Sequence, residues 1–186
     1  MRWILLAYKA PQQPSTARAA AWRLLKGAGA LYVQQSVCLL PDLVRTREVV
    51  TRVQAFVEQA EGEAFLLDVS GMSAASESDV RERFNALREA EYAELLERCD
   101  GFLEELRRES GVGKFTFAEV EENEDDLVKL RAWLRKIRTR DFFGCARGAE
   151  AEAAIRKCVV QLDAFTERVL AHEGAVSTKE RIRLRR

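Results

Sequence analysis

Leu31-Tyr32-Val33-Gln34-Gln35-Ser36-Val37-Cys38-Leu39-Leu40-Pro41 sets two short apolar runs on either side of a polar joint. Leu31–Val33 and Ser36–Leu40 read as strands joined at Gln34-Gln35, and Pro41, which has no amide to donate, stops the second. Upstream, Trp3-Ile4-Leu5-Leu6-Ala7-Tyr8 is a continuous apolar and aromatic run of the kind a buried strand needs. Pro14-Ser15 punctuates the chain after it. Ser15 is placed to cap a helix over Thr16–Lys26, which Gly27 and Gly29 close. Downstream, Asp42 is placed to cap a second helix through Gln59, with Val49, Val53, Phe56 and Val57 at helical spacing. Gly62 ends that helix, and Ala64–Val69 is a fourth strand. The order βαββαβ is the ferredoxin-like plan, a four-stranded antiparallel sheet backed by two helices.

Everything after the serine-, alanine- and glycine-rich stretch Ser70–Asp79 reads as helix. Val80–Glu109 is long, and Tyr92, Leu95, Cys99, Phe102 and Leu106 form one apolar stripe along its second half. The earlier stripe of Val80, Phe84 and Leu87 does not run cleanly into it, which points to a kink or register change near Arg88–Glu91. Gly111 and Gly113 break the helix. Thr116-Phe117-Ala118-Glu119 has the pattern of a capping box, in which threonine and glutamate satisfy each other's free amides. The helix it opens runs to Thr139 with Leu127, Leu130, Leu134 and Ile137 inward. A last helix over Ala149–Ala171 puts Ile155, Cys158, Leu162, Phe165 and Val169 on one face. Three such helices with short turns pack antiparallel. The expected protein is therefore α+β: a ferredoxin-like domain over residues 1–72, a helical domain over 73–178 and a basic tail over 179–186.

Composition narrows the function. Nearly half of the 186 residues are apolar, enough for a real core. The 30 basic and 30 acidic residues balance, so only the local distribution of charge speaks about partners. The apolar start is too short for a signal peptide, and Lys9, Pro11 and Pro14 follow it without a small-residue cleavage site. No stretch approaches the roughly 18 apolar residues that a membrane span requires. A cytoplasmic protein is expected. Cys38, Cys99, Cys145 and Cys158 are scattered, and His172 is the single histidine, so zinc ligation is not expected and buried, reduced thiols are.

The opening strand, Arg18 with Trp22-Arg23-x-Leu25-Lys26, the Gly29-Ala30 step and Ser36-Val37-Cys38-Leu39-Leu40-Pro41 resemble the N-terminal domain of the chromate resistance protein ChrB. A similar opening occurs in PaaX-type repressors and in the small ferredoxin-like CRISPR-associated nucleases. Glu91-Tyr92-Ala93-Glu94-Leu95 and Arg138-x-Arg140-Asp141-Phe142-Phe143-Gly144 favour the first of these, over roughly residues 2–170. The resemblance implies a transcriptional regulator of chromate efflux, with DNA binding or dimerisation as its inheritance. Such chains typically carry a C-terminal portion implicated in sensing, which a chain stopping at Arg186 is expected to lack. The nucleases use an aspartate at the end of the first strand, where this sequence reads Tyr8-Lys9-Ala10, so nuclease activity is not expected.

Three basic clusters are candidates for nucleic acid. Arg18, Trp22 and Lys26 recur at four-residue steps with Arg23 beside them, a cationic and aromatic strip suited to phosphates and base faces. Trp22 packed on the sheet edge with its basic neighbours reaching to water would produce the same pattern. Arg131, Arg135, Lys136, Arg138 and Arg140 crowd the second half of the helix after Thr116, opposite Glu119, Glu121, Glu122, Glu124, Asp125 and Asp126 in its first half. That polarity also suits the helix dipole, and mobile surface carboxylates seldom hold a metal tightly. Arg181, Arg183, Arg185 and Arg186 form a basic arm, fit for an acidic surface or for solubility alone. His172, near the end of the last helix, reads as a dipole partner rather than a base. No catalytic centre, cofactor or metal is expected. The expectation is a DNA-associated homodimer, and the alternative is a protein-interaction module that touches no nucleic acid.

Overall fold

A computed structural model describes residues 1–11 and 15–183, with side chains for residues 1–11 and 16–174. The elements are β1 (Trp3–Lys9), α1 (Ser15–Ala28), β2 (Leu31–Gln34), β3 (Val37–Pro41), α2 (Val44–Gln59), β4 (Glu63–Val69), α3 (Ala74–Val112), α4 (Phe117–Arg140) and α5 (Arg147–Arg183). The four strands form one antiparallel sheet in the order β2-β3-β1-β4. This is the ferredoxin-like arrangement, and the protein is α+β. The apolar run at the start is interior, with Leu5 opposite Leu39 on one side and Leu67 on the other. A central strand buried on both faces needs such a run.

Alternation along β1 separates two cores. Ile4, Leu6 and Tyr8 meet Ala21 and Leu25 of α1 and Val50, Val53 and Val57 of α2. Trp3 points the other way, with Leu31 and Leu39, and is covered by Val80 and Phe84 of α3. Phe142 and Phe143 return to this second core, their rings 5.7 and 5.6 Å from that of Phe84. The compact unit around the sheet accordingly comprises Met1–Arg88 and Arg138–Cys145; a second comprises Glu89–Ile137 and Ala146–Arg186.

In the second unit the helical stripes are buried as expected: Tyr92, Leu95, Cys99, Phe102 and Leu106 on α3, Leu127, Leu130, Leu134 and Ile137 on α4, and Ile155, Cys158, Leu162, Phe165 and Val169 on α5. No two cysteines are joined, and Cys38, Cys99 and Cys158 are buried. Among the described residues no helix is long and apolar enough to cross a membrane.

Several local expectations need correction. Helix α3 runs from Ala74 to Val112, so Gly111 lies inside it rather than breaking it. The step after Phe84 is filled by buried Arg88, which donates to the Arg140 carbonyl at 3.2 Å, while Leu87 is exposed. Asp42 does not cap α2. The N-cap position is Leu43, whose amide donates to the Thr46 hydroxyl at 3.0 Å, and Asp42 instead accepts from Arg47 Nε at 2.9 Å. Thr116 does stand before α4 and accepts from the Glu119 amide at 3.4 Å, but the Glu119 carboxylate pairs with Lys114 rather than reaching back to the threonine. Helix α5 continues well past His172, whose ring packs at 5.9 Å from Phe115, so the histidine is not at a helix end.

Candidate nucleic-acid interface

Helices α1 and α2 lie side by side on one face of the sheet, each burying its small and branched residues and presenting the rest to solvent. On α1 the outward residues include Arg18, Trp22, Arg23 and Lys26, all exposed. Trp22 is 49% exposed. It therefore does not pack on the sheet edge; Lys26 Nζ sits 5.6 Å from its ring centroid, a cation–π contact at the surface. Arg23 Nε donates to the Ala19 carbonyl at 3.3 Å, one turn back.

Two arginines that the sequence pattern does not single out complete this face. Arg45 and Arg52 are seven apart on α2, two turns along one side, and both are exposed. Arg23 and Arg45 line one groove between the helices, of about 360 Å³, together with Leu24, Gly27, Thr46 and Thr139. Arg23 and Arg52 line the next, of about 310 Å³, with Ala20 and Phe56. The Arg45 guanidinium is also 5.3 Å from the Phe142 ring centroid, which steadies it over an apolar base. Among the described residues, none of Arg18, Arg23, Lys26, Arg45 and Arg52 makes an ion pair with a carboxylate. Arg47, by contrast, is committed to Asp42 and Asp68, at 2.9 and 2.6 Å. Arg23, Arg45 and Arg52 along the α1–α2 grooves, with Arg18 and Lys26 exposed on α1, make a local positive field in a chain with no net charge. The seven-residue spacing of Arg45 and Arg52 was the available signal, but it means little until α2 is known to lie beside α1.

The second basic cluster divides. Arg138 and Arg140 fall in the sheet unit, whereas Arg135 and Lys136 are exposed residues of the other unit. Arg140 is half-buried, its stem packed against Gly29 and its carbonyl held by Arg88. That makes it a structural residue as much as a surface cation. Of the acidic half of α4, Glu119 is buried rather than solvated. The side chains of Arg181 and Arg183, and the whole of Arg185 and Arg186, lie outside the described residues.

Beneath the α1–α2 face the core is chemically quiet. Tyr8 and Tyr32 share a hydrogen bond of 2.9 Å, and burial raises both phenols above their usual range. Burial likewise pushes the Cys38 thiol up to about 12, which suppresses the thiolate a nucleophile would need. No cluster of three or more metal-ligating side chains occurs among the described residues.

A family model described as "Protein ChrB, N-terminal" matches residues 18–176. The curated Protein ChrB of Cupriavidus metallidurans is 32% identical over 92 residues, covering 50% of this chain. The same match spans 28% of that protein's length.

Proposed function

The chain belongs to the ChrB N-terminal family, and from that premise we propose that it is a ChrB-type regulatory protein that meets DNA through the α1–α2 face. One observation carries the reading: Arg18, Arg23, Lys26, Arg45 and Arg52 are exposed, share one face and have no ion-pair partners among the described residues. Lysines and arginines so placed neutralise phosphates and release counterions, which is the main source of sequence-independent affinity. Trp22 supplies a ring for stacking or for packing against sugars. Arg135, Lys136, Arg138, Arg140, Arg181, Arg183, Arg185 and Arg186 are further candidates for phosphate contact in this reading. In this reading the chain works in the cytoplasm as a homodimer, in the setting of chromate resistance, by binding rather than by catalysis.

The test is fluorescence anisotropy with labelled duplex DNA over a range of salt. Five phosphate contacts give a slope of about −4.5 in log affinity against log salt, so affinity falls roughly 500-fold from about 50 to 200 mM. Absence of binding at the lowest salt removes the reading. A second one is favoured by a different observation. Phe65 and Leu67 stand 63% and 51% exposed on β4, the edge strand. Apolar side chains on an open edge suit a protein partner or a second copy. Light scattering that finds a dimer, together with no DNA binding, would favour the interaction module.

A further inference from the structure

We propose that the junction between α3 and α4 is a proton-operated latch, in which one proton shared by the buried carboxyl groups of Glu109 and Glu119 holds the two helices' ends together. This concerns the second unit alone and does not depend on DNA binding.

The geometry places two acids where only one negative charge is well tolerated. Glu109, in the last turns of α3, and Glu119, in the first turn of α4, are 5% and 7% exposed. Both acids meet around Asn123 and Lys114, and the latch consists in a bond between their carboxyl groups, which raises Glu109 and lowers Glu119. Two carboxyl groups can share such a bond only if one of them carries a proton. The remaining valences are well met. Asn123 Nδ2 donates to Glu109 Oε2 at 3.0 Å and to the Glu119 carbonyl at 2.8 Å. Lys114, in the connecting turn, pairs with Glu119, and its own amide donates to the Glu109 carbonyl at 3.0 Å. Glu119 is thus the acid stabilised as an anion, and Glu109 the one that keeps the proton.

Other charged groups lie on the elements packed around this turn. Glu105 and Arg108 lie on α3, and Glu122 on α4. From α5, Arg168 lines a groove with Arg107 and Ser110, and His172 packs on Phe115 of the turn. Burial, and next the bond to Glu119, push the Glu109 carboxyl up to about 7. Lys114 holds Glu119 below the usual glutamate range.

The sign of the effect follows. For Glu109 the folded value is raised, so its stabilisation is complete below the unfolded value and is lost as pH rises through about 7. For Glu119 the folded value is depressed, so its stabilisation is present above the unfolded value and is lost as pH falls through the folded one. Between pH 5.5 and 8 Glu109 is therefore the acid of the pair that changes state. Above that window two buried carboxylates face each other across the turn and the latch loosens.

The test uses the full chain. Carbon-detected NMR of labelled glutamate is expected to find one side-chain carboxyl with a midpoint near 7. The melting temperature is expected to fall between pH 5.5 and 8, and Glu109→Gln, whose amide can donate to Glu119 as the protonated acid does, to flatten that fall. The difference between Glu109→Gln and the parent is the quantity read. The NMR measurement decides the matter if the variant does not fold. No glutamate titrating above pH 6, or a Glu109→Gln protein with the parent's pH slope, overturns the latch.

Discussion

A Cβ built on Gly29 would stand 2.9 Å from the Cβ of Arg140, closer than packed carbon atoms approach. Gly29 has φ +84°, and Phe142 Cε2 lies 3.2 Å from the same point. The glycine thus serves twice: it ends α1 in the left-handed conformation and opens room for the segment that returns from α4. Gly29→Ala is expected to lose about 2 to 4 kcal/mol, from left-handed strain plus overpacking. Urea unfolding reads the loss. Gly27→Ala is the control, since that position is helical and meets nothing within 4 Å; it should gain roughly 0.5 to 1 kcal/mol.

Phe84 is 1% exposed, with its ring centroid 5.9 Å from that of Trp3 and in contact with Phe142 and Phe143. Phe84→Ala is expected to destabilise the protein by about 3 to 5 kcal/mol, the usual cost of a cavity this size. Tryptophan emission should shift to the red as Trp3 loses its cover. A variant with unchanged unfolding and emission would show that the aromatic cluster contributes little.

Charge reversal distinguishes the α1–α2 face from a general effect of charge. Arg23→Glu combined with Arg45→Glu should lower the magnitude of the salt slope by about 2, roughly one unit for each phosphate that is no longer neutralised. The weakening should be similar for unrelated DNA sequences, because groups that meet only phosphates carry no base information. Arg47, already paired with Asp42 and Asp68, provides the contrast. Its replacement by alanine should leave the slope unchanged, and an equal drop there would detach binding from this face.

Thiol reactivity follows burial. Cys145 is half-buried, whereas Cys38, Cys99 and Cys158 are buried. Iodoacetamide on the folded protein should modify Cys145 first and leave Cys38 nearly untouched, since its thiol is pushed up to about 12. Peptide mass spectrometry after timed labelling measures the order. Early labelling of Cys38 would contradict the packing of the α1–α2 core.

Much of the secondary structure is written locally, and those parts are legible in the sequence. The Leu31–Pro41 hairpin, the run Trp3–Tyr8 and the stripe from Tyr92 to Leu106 depend on side-chain period, which neighbouring residues set by themselves. Thr116 likewise marks a helix start because its side chain reaches only three residues along. Other features need partners distant in sequence. Arg88 looks like a break in an apolar stripe until the Arg140 carbonyl arrives to accept from it. Arg45 and Arg52 are ordinary surface residues of α2 until α1 lies alongside and brings Arg23 between them. Glu119 reads as one solvated acid among many, and only the packing of α4 on the end of α3 sets it against Glu109. Periodicity tells a residue which way to face along its own element. Which charge or ring it then meets is decided by contacts between elements, and in this chain those contacts make the basic face and the buried acid pair.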